Sequence, residues 1–363
     1  MTDQTFKPNW VSPPGDTISD ILEERGISQA EFAKRSGFSK KHVNLLIKGK
    51  AAITPEAASR LADVLDAPSE FWLTREANYR SGLEYRSKID LLQRCADWLK
   101  ELPIADMVRF GWVQRFAHKG QQVAECLRFF SVASVDAWRA QYEQPVVAFR
   151  ASAKVEKKVG AVAAWIREGE RQASPLRCAP FDEVRFRRTL HEARALAAEH
   201  EPSRFMKPLI DACAASGIAV VFVRAPKGCL ASGAARWLAP RKKGLIILSL
   251  RHKTNDHLWF TFFHEAAHLL RHGKRMLFVD LEGRACEEEH EAEANKFAGD
   301  LLIPPSEAKR LPTLGQTGSA VKEFADRIGI APGIVVGRMQ KDGIIHWSRL
   351  NGLKARYEWP SRG

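Results

Sequence analysis

Residues 258–270, LWFTFFHEAAHLL, set two histidines and a glutamate into a run that is otherwise apolar but for one threonine. The run is too short to span a bilayer and reads as a helix buried on most sides. On a helix, residues four apart share a face, so His264 and His268 aim ring nitrogens at one point and Glu265 projects beside it. Burying these groups uncompensated is expensive. A cation removes the expense: in an H-E-x-x-H arrangement the imidazoles hold zinc and the glutamate takes a proton from water. The alternative is a pair of core histidines satisfied by carbonyl groups, with the glutamate in a salt bridge.

A catalytic zinc takes three protein ligands and keeps one position open. The stretch CEEEHEAEANKFAGDLLIP, residues 286–304, reads as a second helix with Phe297, Leu301 and Leu302 on its apolar face. Glu291 stands 23 positions beyond His268 and is the preferred third ligand. Asn295 follows one turn later, placed to orient a ligand. Glu293 points about 200° away around the helix and ranks second. Glu287, Glu288 and Glu289 read as a solvated acidic face, and Cys286 as a minor candidate for an inhibitory thiolate. His252, His257, His272 and His290 lack ligand spacing and read as surface or packing histidines.

Ahead of this helix, IAVVFV (218–223), ASGAARWL (231–238) and GLIILSL (244–250) predict three strands separated by the breakers APKG and APRKKG. Gly233, Ala234, Ala235 and Arg236 are candidates for an edge strand that aligns an extended peptide. An internal hairpin strand is the alternative. No donor for a developing oxyanion stands out, His346 and Tyr357 being the nearest guesses.

The N-terminal part reads differently. Gly26 closes a helix, Ser28 caps the next, Gly37 makes a turn, Ser39 caps a third and Gly49 ends it; Thr54 and Pro55 open a fourth. Two helices joined by a glycine turn can lay the second across a major groove. The candidates for base and phosphate contact are Ser39, Lys40, Lys41 and Asn44, with Gln29 near the backbone. Between Phe32 and Pro55 stand six basic residues and no acidic one. The alternative is a plain helical packing module with solvated lysines.

The 363 residues, 45% hydrophobic and 27% charged, allow two or three globular domains. Net charge is +13, but residues 1–88 hold 13 basic against 12 acidic side chains, so total charge does not locate a nucleic-acid site. Six cysteines without a C-x-x-C pair indicate neither a disulfide frame nor a thiolate zinc knuckle. A chain start without a signal-peptide pattern, and no membrane-length apolar run, predict a cytoplasmic protein that avoids membranes.

The stretch SQAEFAKRSGFSKKHVNLLIKGKAAITPEAASRLADVLDAPSEFWL resembles the Cro/repressor-type helix-turn-helix of the HigA antitoxin and related transcriptional regulators. The resemblance implies binding to a palindromic double-stranded DNA operator as a homodimer. Further on, DHLWFTFFHEAAHLLRHGKR, EAEANKFAGDLLIP and APGIVVGRMQKDG resemble the ImmA/IrrE family of zinc metallo-endopeptidases over about residues 205–345. That resemblance implies Zn2+ on His264, His268 and Glu291, Glu265 as catalytic base, and a repressor-type protein or peptide as substrate. Ala267 is a departure, since the family often has glycine there.

The expected fold is α+β and mainly helical. It comprises an all-α helix-turn-helix domain over residues 1–88, a helical connecting domain over 89–200, and a zincin-like domain of a small sheet plus helices over 201–363. The expected function is transcriptional regulation coupled to zinc-dependent proteolysis. Two other classes remain open: a non-catalytic sensor whose zinc fold binds a ligand and switches DNA affinity, and an antitoxin that holds a toxin partner.

Overall fold

Three glycines in the left-handed region and three side-chain caps cut the N-terminal segment into helices. Gly26, Gly37 and Gly49 have φ of 64°, 70° and 63°, a conformation that costs glycine little. Ser28 accepts from Glu31 N, Ser39 from His42 N and Thr54 from Ala57 N, satisfying amides that the first turn leaves without partners. The helices are α1 (Pro14–Glu24), α2 (Gln29–Ser36), α3 (Lys40–Ile47) and α4 (Pro55–Leu65), followed by the long α5 (Ser69–Gln93). Their apolar stripes meet in one core of Ile18, Leu22, Phe32, Val43, Leu46, Leu61 and Trp72. Gly15 seats α1 on the end of α3: a Cβ there would lie 2.0 Å from Ile47 O.

The computed structural model describes residues 11–143, 159–238, 243–271, 278–281 and 288–359. They fall into two compact units. One runs to Ala96 and includes His118–Ala124; the other takes Asp97–Ala117 and the chain from Glu125 onward.

The second unit contains α6 (Ile104–Arg109), α8 (Val135–Trp138), α9 (Val159–Ala173), α10 (Glu183–Leu196) and α11 (Pro202–Ala214), with α7 (Lys119–Phe130) divided between the units. Strands β1 (Ile218–Phe222), β2 (Ala231–Leu238), β3 (Lys243–Leu248) and β4 (Phe278–Leu281) form a sheet in the order β1-β3-β2-β4. The β1–β3 pair is parallel; β2 is antiparallel to both neighbours. Around them stand α12 (Asn255–Arg271), α13 (Glu288–Leu302), α14 (Pro305–Ala308), α15 (Gly318–Ile328) and α16 (Pro332–Lys341).

Alternation along the strands sends Ile218, Val220, Ala235, Ile246 and Leu248 into one core with Phe262, Phe263 and Ala266 of α12 and Phe205 and Leu209 of α11. The opposite face receives α9, where a Cβ on Gly169 would lie 2.4 Å from Ile247 Cδ1 and Trp165 Nε1 donates to Val223 O at 3.0 Å.

Two expectations change. The segment expected as a separate connecting domain supplies, from Asp97 on and apart from His118–Ala124, helices that pack within the sheet-containing unit, where α9 buries Val159–Ile166 and Gly169. The predicted three-stranded sheet has a fourth strand, β4, which pairs with β2 through Ala231↔Leu281, Gly233↔Asp280, Ala234↔Val279 and Ala235↔Phe278. Four residues, FVDL, carry too little alternation to announce a strand.

Candidate metal centre

The apolar run is held where the sequence requires it. In α12, Trp259, Phe262, Phe263, Ala266 and Ala267 are wholly buried, and with them Glu265; His264 and His268 are 3% and 1% exposed. The methyl of Ala267 is accommodated in this core. Helix α13 lies alongside, with Ala294 and Ala298 fully buried and Leu301 and Leu302 in the common core. That packing brings Glu291 to the two imidazoles.

The three side chains converge. His264 Nε2 and His268 Nε2 stand 3.0 Å apart, and the Glu291 carboxylate oxygens lie 3.2 Å from the first and 3.4 Å from the second. Among the described residues, these three form the group whose donor atoms could hold a metal ion, all within 4.8 Å of one another. In a tetrahedral zinc site with bonds of about 2.1 Å, ligand atoms are about 3.4 Å apart. The observed spacings fit that polyhedron, and the donor set of two imidazoles and one carboxylate fits the metal. Two such imidazoles share at most one hydrogen bond with each other, so a cation at the common point suits the remaining lone pairs.

Burial pushes the Glu291 carboxyl up, but hydrogen bonds and charge from His264 and His268 outweigh it and hold it at about 2. His264 Nδ1 is buried and finds no hydrogen-bond partner among the described residues. Glu265, next in chain to His264, reaches the backbone of β2: a Cβ on Gly233 would lie 2.6 Å from Glu265 Oε1, 2.7 Å from its Cγ and 2.5 Å from Thr261 Cγ2. Glycine within a strand marks such close backbone approach, a signal that sequence reading could have used here.

Other candidates are placed elsewhere. Asn295 is exposed and makes no hydrogen bond to the three convergent side chains, so it does not orient a ligand in this structure. Glu293 lies 4.0 Å from Arg271. Strand β2 lies between β3 and β4, and its backbone at Gly233, Ala234 and Ala235 is paired on both sides, so these three do not offer an open edge; Arg236 pairs with Leu245 of β3. Arg236 turns to the other face of the sheet and pairs with Glu170 of α9. Tyr357 is fully buried, its hydroxyl donating to Glu199 O at 3.2 Å and accepting from Trp259 Nε1 at 3.3 Å, and His346 is exposed beside Ser348. His272, Cys286 and Glu287 lie outside the described residues, as does the side chain of Glu288.

In the first unit, Gln29, Ser39, Lys40, Lys41 and Asn44 are all exposed, while Val43 and Leu46 bury the opposite face of α3. Ser39 Oγ already accepts from His42 N at 3.1 Å, so its first role is to start the helix.

Comparison with known proteins divides along the same lines. The helix-turn-helix family model matches residues 18–72, and the IrrE N-terminal-like domain matches residues 215–339. An uncharacterised HTH-type transcriptional regulator, YddM of Escherichia coli strain K12, is 38% identical over 60 residues; the match covers 16% of this chain and 64% of that protein. A protein described as an antidote of a plasmid maintenance system, from Nostoc punctiforme, is 30% identical, with a TM-score of 0.21 over 21% of this chain and 84% of that one. An addiction-module antidote protein of a HigA family from Coxiella burnetii is 21% identical, with a TM-score of 0.22 over 23% of this chain and 92% of that one. No helix among the described residues is long and apolar enough to cross a membrane. The chain thus carries a helix-turn-helix domain and, fused behind it, an IrrE N-terminal-like domain of the M78 peptidase type.

Proposed function

We propose that the chain is a DNA-binding regulator whose C-terminal unit is a zinc-dependent endopeptidase acting on a repressor-type protein, a second copy of itself included. The observation that carries this reading is the convergence of His264 Nε2, His268 Nε2 and the Glu291 carboxylate on one point, next to a buried Glu265. The match to the IrrE N-terminal-like domain supports it.

When bound, a divalent metal polarises a peptide carbonyl and brings the pKa of water toward 7. His264 and His268 would hold that metal through the lone pairs of their Nε2 atoms. Glu291 adds one negative charge from the neighbouring helix, so that a dication held here would leave the site with a net charge of about +1. Glu265 accepts the proton of the attacking water on its carboxylate and returns it to the leaving amine. Gly233 leaves that carboxylate room against β2. In the first unit, Lys40, Lys41 and Asn44 on the exposed face of α3 contact the operator, and Gln29 at the start of α2 contacts its phosphates.

Glu265→Gln separates chemistry from metal holding. The zinc-loaded chain is incubated with unfolded casein and with its own Glu265→Gln variant, and the products are read by mass spectrometry. Cleavage by the parent chain, absent in a variant that keeps its zinc, is the expected outcome. Equal cleavage by both removes Glu265 from the chemistry. No cleavage by either favours a ligand-sensing role for the same fold.

A further inference from the structure

Past Glu265, β2 and α12 enclose a second polar recess. Ser232, the chain neighbour of Gly233, lines it with His252, Lys253, Thr254, His257 and Thr261. His257, Thr261 and Glu265 recur every four residues, so they share one face of α12, and the recess lies about 6–12 Å along the helix from Glu265.

Its lining residues are serines and threonines, two histidines, one lysine and two leucines, and none of them is acidic. The rings of His252 and His257 stack with centroids 4.3 Å apart. Thr254 Oγ1 is buried and has no hydrogen-bond partner among the described residues. Lys253 is exposed and sits in the left-handed region at φ 55°. Its amide donates to Leu250 O, and its carbonyl accepts from Tyr357 N at 2.6 Å, so the turn that carries it is fixed from both sides. The floor admits a group of about one water's size. A single oxygen or nitrogen atom at the tip of a side chain enters; a lining with donors and a lysine, and without an acid, favours a carboxylate oxygen over a guanidinium.

We infer that this recess is a carboxylate subsite, which receives an acidic side chain or a terminal carboxylate of a peptide lying along α12. The peptide nature of the ligand rests on the hydrolase reading; the preference for a carboxylate rests on the recess itself. At about 3.3 Å per residue of extended chain, the acid stands two to four residues from the bond beside Glu265.

The test uses the full chain with isotope-labelled histidine, its signals assigned with His252→Gln and His257→Gln. Probes are acetyl-Ala-Glu-Ala-amide, its Gln analogue, and acetyl-Ala-Ala-Ala with a free carboxyl end. Expected is a response of the His252 and His257 signals to the Glu peptide at about tenfold lower concentration than to the Gln peptide, the scale of one charge-assisted hydrogen bond. Thr254→Val, which removes a hydroxyl that bonds to nothing described, and Lys253→Glu each shrink that preference. Equal response to Glu and Gln, no response at either histidine, or a preference untouched by both substitutions overturns the subsite. The free-acid probe distinguishes the two carboxylate sources: a stronger response than the Glu peptide assigns the site to a chain end, a weaker one to a side chain. Zinc content and casein cleavage are measured on the same sample. A carboxylate response without zinc or cleavage keeps the subsite and sinks the hydrolase, and the reverse pattern does the opposite.

Discussion

Gly233→Ala probes the wall between β2 and the proposed base. The backbone there is not in the left-handed region, so alanine costs nothing in φ and its effect is steric. The new Cβ would meet Thr261 Cγ2 at 2.5 Å, Glu265 Oε1 at 2.6 Å and Glu265 Cγ at 2.7 Å, whereas ordinary contact begins near 3.4 Å. Helix and strand must part by about 0.7–0.9 Å, or Glu265 must swing away, in a core with no slack. Overpacking of this kind costs about 1–3 kcal/mol. For a unit of this size, that lowers the melting midpoint by about 2–12 °C. The three convergent side chains are not among the atoms struck, so zinc content stays at the parent level while casein cleavage falls. Thr261→Ser removes the nearest methyl, and the double variant therefore recovers part of the lost stability, a coupling of about 0.5 kcal/mol or more. Calorimetry on the four proteins gives the cycle. A Gly233→Ala melt within one degree of the parent, with undiminished cleavage, refutes the close approach.

Three further outcomes follow from the same structure. Lys354 Nζ stands 2.6 Å from Asp256 Oδ2, both side chains 9% exposed, so Lys354→Met leaves a buried carboxylate without its cation and lowers unfolding free energy by about 3–5 kcal/mol in a denaturant titration; a loss under 1 kcal/mol contradicts this. Burial pushes Tyr357 from its ordinary value near 10 up to about 12, and Cys213 and Cys229 from 9 up to about 12. Their neutral forms are favoured in the fold, so that contribution is whole below pH 9 and is lost between pH 9 and 12, and Tyr357→Phe flattens the part of the decline above pH 10. Lys40→Ala and Lys41→Ala each reduce the slope of log affinity for DNA against log salt by about 1; an unchanged slope in both places the phosphate contacts elsewhere.

Local chemistry was the legible part of the sequence. Ser28, Ser39, Thr54 and the three left-handed glycines act on amides within a few residues of themselves, so the helix boundaries of the first unit could be read directly. The spacing of His264 and His268 is likewise internal to one helix. Glu291 was within reach because an apolar stripe beside an acidic one leaves few ways to dock α13 on α12. What could not be read depends on neighbours distant in sequence. Whether ASGAARWL is an edge or an inner strand is decided by β4, 40 residues later, whose four residues carry almost no pattern of their own. Asn295 has the right helical phase relative to Glu291 but remains exposed, since phase fixes direction around a helix and not what waits there. The place of α9 depends on Ile247 and Val223 receiving it, which no pattern within α9 announces.

Metal content decides the central claim. The full chain is purified without added chelator, exchanged into metal-free buffer and measured by plasma mass spectrometry beside His264→Ala. About one zinc per parent chain is expected, and a small fraction of that in the variant, with both folded by circular dichroism. A parent protein with no bound divalent metal, and none taken up from micromolar zinc, would contradict it.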